Sequence, residues 1–180
     1  GLTPGMAMLN FCAAMIYDAG FLALDSDLIN ATTLTDEQKQ EMKTHVELAE
    51  KHLDFVPKKY WNIFEDAAMK HHENMDGTGY PKGLKGDEIP QIARLIRVAE
   101  SYVSLSSRRN YRGALDKESA IQKLREQPEL YDIAVVDCLD CPTFHDKLSK
   151  GKVPLLCCPA TDFDVATKLE KIVAHNEIAS

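Results

Sequence analysis

The chain of 180 residues lacks the marks of several large protein classes. Its net charge is −7 and its sequence pI about 5.4, so it has no basic excess with which to hold long nucleic acid. No uninterrupted apolar run approaches the roughly 20 residues of a membrane span, and no signal peptide precedes the first predicted helix. Internal repeats and low-complexity segments are absent too. We therefore expect a globular, cytoplasmic chain without a membrane segment.

The cysteine pattern argues against disulfides. The five cysteines are an odd number at irregular spacing, which indicates reduced thiols in a cytoplasmic compartment. The pair Cys138 and Cys141, with the adjacent pair Cys157 and Cys158, has the residue types of a zinc site. The adjacent pair lacks the usual spacer of two to four residues, so structural zinc is disfavoured.

Strand-like alternation is absent before Gly151, whereas helical periodicity is strong. Apolar residues make up 44% of the chain, enough for a real core. They recur at helical spacing, and Thr35 with Gln38 forms a capping box at one helix start. The predicted helices cover 6–16, which we expect to be buried, 36–53, 60–69, 90–105, 116–126 and 131–139. These observations predict an all-α bundle of six or seven helices.

The most distinctive stretch is 71–81, His-His-Glu-Asn-Met-Asp-Gly-Thr-Gly-Tyr-Pro. It places two imidazoles and two carboxylates at the end of the helix predicted at 60–69. Neutral imidazole is the commonest metal ligand in proteins. Gly77 and Gly79 permit unusual backbone angles and Pro81 fixes one, so a rigid loop should follow the helix. A polar helix end followed by a surface turn is the plain alternative.

This string resembles the signature of HD-GYP domains, which are bacterial metal-dependent phosphodiesterases that hydrolyse cyclic di-GMP. The similarity continues through 82–90, through Ile92-Ala93-Arg94 and through Arg109-x-Tyr111-Arg112, and it covers roughly 9–139. It implies an all-α, HD-domain-like helical bundle at 1–140. It also implies that the family's first helix is absent here. Residues 141–180 would then be a C-terminal extension, with an extended segment near 151–159 and a helix near 161–174.

The resemblance also implies a set of site residues. Its metal ligands fall on Asp18, His45, His71, His72 and Glu100, and its substrate contacts on Gly79, Tyr80, Pro81, Arg109 and Arg112. Taken alone, several of these have plainer explanations: Asp18 as a cap, His45 as a core histidine, Glu100 as a surface residue. Their origin in separate predicted helices favours a shared site, because helical folds build metal sites from converging helices.

Departures from the family pattern fall on one part of this site. Tyr17 replaces the histidine of the His-Asp pair, and Phe21 replaces a lysine that would face phosphate. Glu100 and Val103 stand where the family has aspartates. The remaining donors, three imidazoles and one carboxylate, suit one divalent ion (Fe, Mn or Zn) rather than a bridged pair. We assign no catalytic residue.

Three functions stay open for such a chain in bacterial cyclic di-GMP signalling. It is a nucleotide-binding domain with weak or no hydrolysis, a module that binds a signalling protein, or an active phosphodiesterase with a reduced metal site. Phe21 and Val103, apolar where polar groups would meet substrate, favour the first two. The extension at 141–180 either packs on the domain or pairs with a second chain as a homodimer.

Overall fold

The computed structural model describes residues 4–31, 33–108 and 113–140, and within them all regular structure is helical. Arg109, Arg112 and the extension at 141–180 lie outside the described residues, and so do Cys141, Cys157 and Cys158 of the disfavoured zinc site. The all-α prediction is confirmed. The α-helices of the described part are α1 (Pro4–Met15), α2 (Ser26–Ile29), α3 (Asp36–Lys43), α4 (His45–Leu48), α5 (Trp61–Lys70), α6 (Gln91–Ser106), α7 (Lys117–Arg125) and α8 (Ile133–Leu139).

Short side chains fix where several helices begin. The capping box of α3 is present, with Gln38 N donating to Thr35 Oγ1 at 3.3 Å and Thr35 N donating to Gln38 Oε1 at 2.9 Å. Asp116 accepts from Ser119 N at 2.8 Å at the start of α7, and Asp132 accepts from Ala134 N at 3.0 Å at the start of α8. Each cap satisfies amide groups that have no partner within their helix.

The helix expected at 36–53 is instead three pieces. It ends at Lys43, resumes as α4 and closes with the 3₁₀ turn Ala49–His52. Thr44 explains the break, because its backbone N–H (3.0 Å) and its hydroxyl (2.7 Å) both donate to the Glu41 carbonyl. The residue after the break, His45, is only 1% exposed.

Two apolar clusters form the core, and α6 joins them. The first lies among α1, α5, the turn Ala49–His52 and the first half of α6: Ala13, Ala49, Leu53, Val56, Phe64, Ala67, Ala68, Ile92 and Ile96. The second packs α6 against α7 and α8 around Val98, Ile121, Leu124, Tyr131 and Val136. The C-terminal end of α5 therefore lies beside the middle of α6, which is where the site forms.

The N-terminal helix is less buried than its composition predicts. We expected α1 to be buried, but within it only Ala13 is, and Met15 is 68% exposed. Contrary to the expectation that no stretch reaches a membrane span, Pro4–Ala23 has the length and mean hydropathy (1.5) of one. That is weak evidence, since core helices of soluble proteins and signal sequences pass the same test. Here α1 packs against α5 and ends before the 3₁₀ turn Ala19–Ala23.

One glycine allows the turn after α1 to reach α4. A Cβ on Gly20 would lie 1.7 Å from the His45 carbonyl oxygen and 2.9 Å from Ala49 N. Only glycine fits so close a backbone approach. It brings the end of α1, with Tyr17 and Asp18, next to His45.

Candidate metal centre

Three histidines meet at the junction of α4, α5 and α6. His45 begins α4, and His71 and His72 directly follow α5. Their potential ligand atoms all lie within 4.8 Å of one another, and the His45 and His71 Nε2 atoms are 3.4 Å apart. His45 and His71 are completely enclosed, while His72 is partly exposed. Three converging imidazoles of this kind are a typical metal-binding arrangement.

Backbone carbonyls orient two of these rings. His45 Nδ1 lies 2.7 Å from the Met42 carbonyl oxygen, and His71 Nδ1 lies 3.0 Å from the Ala67 carbonyl oxygen. A carbonyl can only accept, so each Nδ1 carries the proton and each Nε2 presents a lone pair to the site. Two lone pairs 3.4 Å apart repel each other unless a cation lies between them. The donor set therefore fits a metal ion, and each ring has the backbone hydrogen bond that usually orients a metal-bound histidine.

Asp18 supplies an oxygen at the open side of the same cluster. Its Oδ1 lies 3.4 Å from His71 Nε2 and 3.7 Å from His45 Nε2. The Asp18 side chain is 40% exposed, so this side faces solvent. Asp18, His45, His71 and His72 together can offer three nitrogens and one oxygen to a single ion.

His45 and His72 are held in the neutral form that binds metal. Burial, followed by the neighbouring histidines and Arg97, lowers the pKa of His72 to about 2. Burial also lowers the pKa of His45, although its bond to the Met42 carbonyl opposes the shift. Both imidazoles are therefore neutral at physiological pH, and the neutral imidazole is the ligand form.

Tyr17 lies at the position where the resemblance expects a further imidazole. Its ring stands edge-on to His71 with the centroids 4.8 Å apart. Burial raises its pKa above the ordinary value of a phenol, and the charges of Asp18 and Glu100 raise it further. The phenol stays protonated at neutral pH and is a poor ligand.

The acidic residue of α6 reaches the site from the other side. Glu100 Oε2 lies 3.8 Å from His72 Nδ1, too far for a hydrogen bond but within the range of an electrostatic contact. Val103, where the family has a second aspartate, is 58% exposed and offers no polar group. The α6 side therefore has one carboxylate, and Tyr17 faces it with a neutral phenol.

Phe21 covers the opposite face of the cluster. Its ring stacks on the His45 imidazole with the centroids 4.2 Å apart and the planes 14° apart. An apolar ring at this position cannot contact a phosphate as a lysine would. It packs against the His45 ring instead.

The loop after the histidines closes over His72. The Tyr80 ring stacks on the His72 imidazole with the centroids 4.8 Å apart, and Tyr80 N donates to the His72 carbonyl at 3.2 Å. Lys43 Nζ lies 5.3 Å from the centroid of the Tyr80 ring, on the surface. A Cβ on Gly79 would come within 2.3 Å of Asn74 N, so glycine is required for this close turn.

The structure thus brings Tyr80, with its neighbours Gly79 and Pro81, to the site, while Arg109 and Arg112 lie outside the described residues.

The glutamate of the His-His-Glu string organises this loop. Glu73 is 2% exposed, and its two oxygens accept from Lys82 N at 2.7 Å and Leu84 N at 3.0 Å. From the sequence, Glu73 is simply one of the two carboxylates of the motif. In the structure it is a buried carboxyl group whose two oxygens both accept from backbone amides of the loop, so its contacts organise the loop.

Arg97, which lies one turn before Glu100 on α6, was missed at the level of the sequence. Its Nε donates to Asn74 Oδ1 at 3.1 Å, and Asn74 follows the histidine pair by two residues. Its charge is among the causes that lower the pKa of His72. Helical spacing identifies it only as a residue beside the apolar face, so no sequence signal marked it.

Comparison with known proteins agrees with this geometry. Residues 6–135 match the family model described as HD domain. The cyclic di-GMP phosphodiesterase response regulator RpfG of Xanthomonas campestris is 35% identical over 141 residues, which are 77% of this chain and 37% of that protein. A cyclic di-GMP phosphodiesterase of Thermotoga maritima is 32% identical over 127 residues, 69% of this chain and 34% of that protein.

Related proteins with another substrate name also match. The 3′3′-cGAMP-specific phosphodiesterase 2 of Vibrio cholerae is 28% identical over 128 residues, which are 71% of this chain and 24% of that protein. The chain therefore spans between about a quarter and two fifths of the length of these relatives.

Proposed function

The chain belongs to the HD domain family, as a member of the HD-GYP type, and from this premise we propose that it is a cyclic dinucleotide-binding domain with one metal ion and weak or no hydrolysis. The relatives named for cyclic di-GMP or cGAMP hydrolysis support the ligand class. Cyclic di-GMP is the ligand to test first, because most of these names specify it.

The convergence of Asp18 with two oriented imidazoles carries the one-ion proposal. Asp18 Oδ1 and the Nε2 atoms of His45 and His71 are all within 3.7 Å of one another, and both imidazoles are oriented by carbonyls. His72 completes a set of four donors that suits Fe, Mn or Zn. A bound ion would supply positive charge to a phosphate oxygen of the nucleotide.

Weak hydrolysis follows from the residues that would have to hold a second ion. Two-metal phosphodiester hydrolysis depends on holding both the attacking and the leaving oxygen. A second ion would have to rely on Asp18 and Glu100 with a protonated Tyr17, and Val103 adds no acid or base. These residues offer too few donors to hold a second ion tightly, so no second ion would be available to hold the other reacting oxygen.

The residues beside His72 provide a surface for the nucleotide. Tyr80 stacks on His72, and Lys43 Nζ lies 5.3 Å from the centroid of the Tyr80 ring as a surface cation. We propose that Gly79, Tyr80 and Pro81 shape this side of the pocket and that Arg109 and Arg112 add phosphate contacts.

An active phosphodiesterase is the second candidate, and Glu100 is the observation that favours it. Its carboxylate lies 3.8 Å from His72 Nδ1, so an acidic group remains at the first of the two α6 positions where the family has aspartates. In that case the longer glutamate would compensate for the missing imidazole at Tyr17.

The deciding experiment uses the purified full chain with and without added manganese or ferrous iron. Elemental analysis should find about one ion per chain, calorimetry should detect cyclic di-GMP binding, and chromatography should show slow or no linearisation. Two tightly bound ions with rapid linearisation would establish the second candidate. An ion without any nucleotide binding would overturn the nucleotide proposal and leave a protein-binding module.

A further inference from the structure

Arg97 differs from the neighbouring arginines in the charge of its partners. Arg94, one turn earlier on α6, lies 2.9 Å from Asp132 Oδ2, and Arg125 lies 2.8 Å from Asp137 Oδ1. No carboxylate in the described part of the chain forms an ion pair with Arg97. A partly buried cation without a counter-ion is costly, and an anion from outside the chain would relieve that cost.

Neutral groups hold the Arg97 guanidinium in place. Nε donates to Asn74 Oδ1 at 3.1 Å, Nη1 donates to Ser101 Oγ at 3.2 Å, and the guanidinium lies 5.2 Å from the centroid of the Tyr131 ring. These contacts use the Nε hydrogen, one hydrogen of Nη1 and one face of the planar group. Its Nη2 donors have no partner among the described residues, so they are available to a ligand.

The position of Arg97 joins it to the metal centre. Its partner Asn74 belongs to the loop that begins at His72, and Glu100, one turn further along α6, lies 3.8 Å from His72 Nδ1. Arg97 therefore lies on the His72 side of the cluster. Phe21, where the family's lysine would be, lies on the His45 side.

We propose that Arg97 is a nucleotide-binding residue of this site, whose guanidinium holds a phosphate group of the cyclic dinucleotide and supplies the positive charge that is missing at Phe21. The inference rests on the proposed nucleotide-binding function and adds the residue that grips the phosphate. A guanidinium suits this role, because its fork of donors matches phosphate oxygens and its charge does not depend on pH.

Matched substitutions test this with the ion-loaded full chain. Arg97→Gln keeps a hydrogen-bond donor for Asn74 but removes the charge, and Arg97→Lys keeps the charge. Arg125→Gln makes the same charge change on α7, where Arg125 pairs with Asp137 and Asp140. Dissociation constants are measured for cyclic di-GMP and for guanosine, which has no phosphate, and ion content is measured for every variant.

Arg97→Gln should bind cyclic di-GMP about ten- to a hundredfold more weakly, the usual effect of losing a charge-assisted hydrogen bond. Arg97→Lys should recover part of that loss, and Arg125→Gln should match the original chain. Guanosine binding and ion content should not change.

Equal affinity of Arg97→Gln and the original chain overturns the role of Arg97 alone. So does an equal loss of affinity for guanosine, which indicates a structural role. Absence of binding by the ion-loaded original chain overturns the proposed function, and the inference with it.

Discussion

The imidazole side of the site (His45, His71 and His72) and the phenol side (Tyr17 and Val103) differ in their contacts. The side chains of the first are oriented by hydrogen bonds and ring stacking. On the imidazole side, His45 and His71 each have a backbone carbonyl behind the ring. Phe21 stacks on His45, and Tyr80 stacks on His72. On the phenol side, Tyr17 is protonated, and Val103 is exposed. The two sides share Asp18. The contrast indicates that the side chains able to hold an ion are oriented and packed on the imidazole side, whereas Tyr17 and Val103 offer no good donor on the other side.

The largest expected effect comes from removing one proposed metal ligand of the imidazole side. His71→Ala should weaken ion binding by about a hundredfold or more, because a donor and the enclosure of the ion are lost together. Metal titration and elemental analysis provide the measurement. His52→Ala is the control, since His52 lies in the turn Ala49–His52 and outside the cluster. Unchanged ion affinity in His71→Ala would show that the imidazole side is not the metal site.

Acid should destabilise the folded, ion-free chain by protonating the histidines of the imidazole side. The folded pKa values of His45 and His72 lie below the unfolded value of about 6.5, so the unfolded chain takes up protons first as pH falls. This stabilisation is fully present above pH 6.5 and is lost progressively as pH falls toward the folded values. Each histidine should lower the free energy of unfolding by up to about 1.4 kcal/mol per pH unit in that window.

Urea unfolding of the chelated protein at pH 7.5, 6.5 and 5.5 measures this dependence. His72→Asn should flatten the slope between the two lower pH values. An equal slope in the variant would mean that His72 takes up its proton equally in the folded and unfolded chains.

The stability of the loop that closes over His72 depends on Glu73. Glu73→Gln should lower the free energy of unfolding by about 1–3 kcal/mol, because one of the two amides that donate to the carboxylate then faces an NH₂ group. Glu88→Gln is the matched control, since Glu88 accepts from Lys85 N on the surface at 3.0 Å. Chemical denaturation compares the two variants. A smaller loss for Glu73→Gln than for Glu88→Gln would argue against Glu73 as the organiser of the loop.

The smallest expected change is repair of the phenol side at one position. Tyr17→His should raise the ion content above one equivalent while hydrolysis of cyclic di-GMP rises little, because the charge missing at Phe21 and the acid missing at Val103 are still absent. Combining it with Phe21→Lys, Glu100→Asp and Val103→Asp should restore some turnover. Tyr17→Phe should leave the ion content unchanged, and a loss of the ion in that variant would show that the phenol is itself a ligand.

The sequence predicts those parts of the molecule that local chemistry determines. The capping box at Thr35, the all-α fold and the loop after His72 follow from residue types at short spacing. The exposure of α1 was not predicted, because composition cannot say how much of an apolar helix meets a partner. The break at Thr44 was missed because helical periodicity continues across it.

Long-range partnerships in the site were also beyond the sequence. The bonds from Lys82 and Leu84 to Glu73 depend on how the loop folds back. The neutral surroundings of Arg97 depend on which side chains the α7–α8 connection and the loop bring to α6. The resemblance suggested which residues would be ligands, and the structure adds their spacing and the state of their protons.

Gly20 also limits which substitutions the site tolerates. A side chain at this position would collide with the backbone of α4, because an added Cβ would lie 1.7 Å from the His45 carbonyl oxygen. The turn would have to move away from α4, and Asp18 would move away from His45 and His71 with it. Replacement of Gly20 should therefore disrupt the candidate site without removing any of its donors.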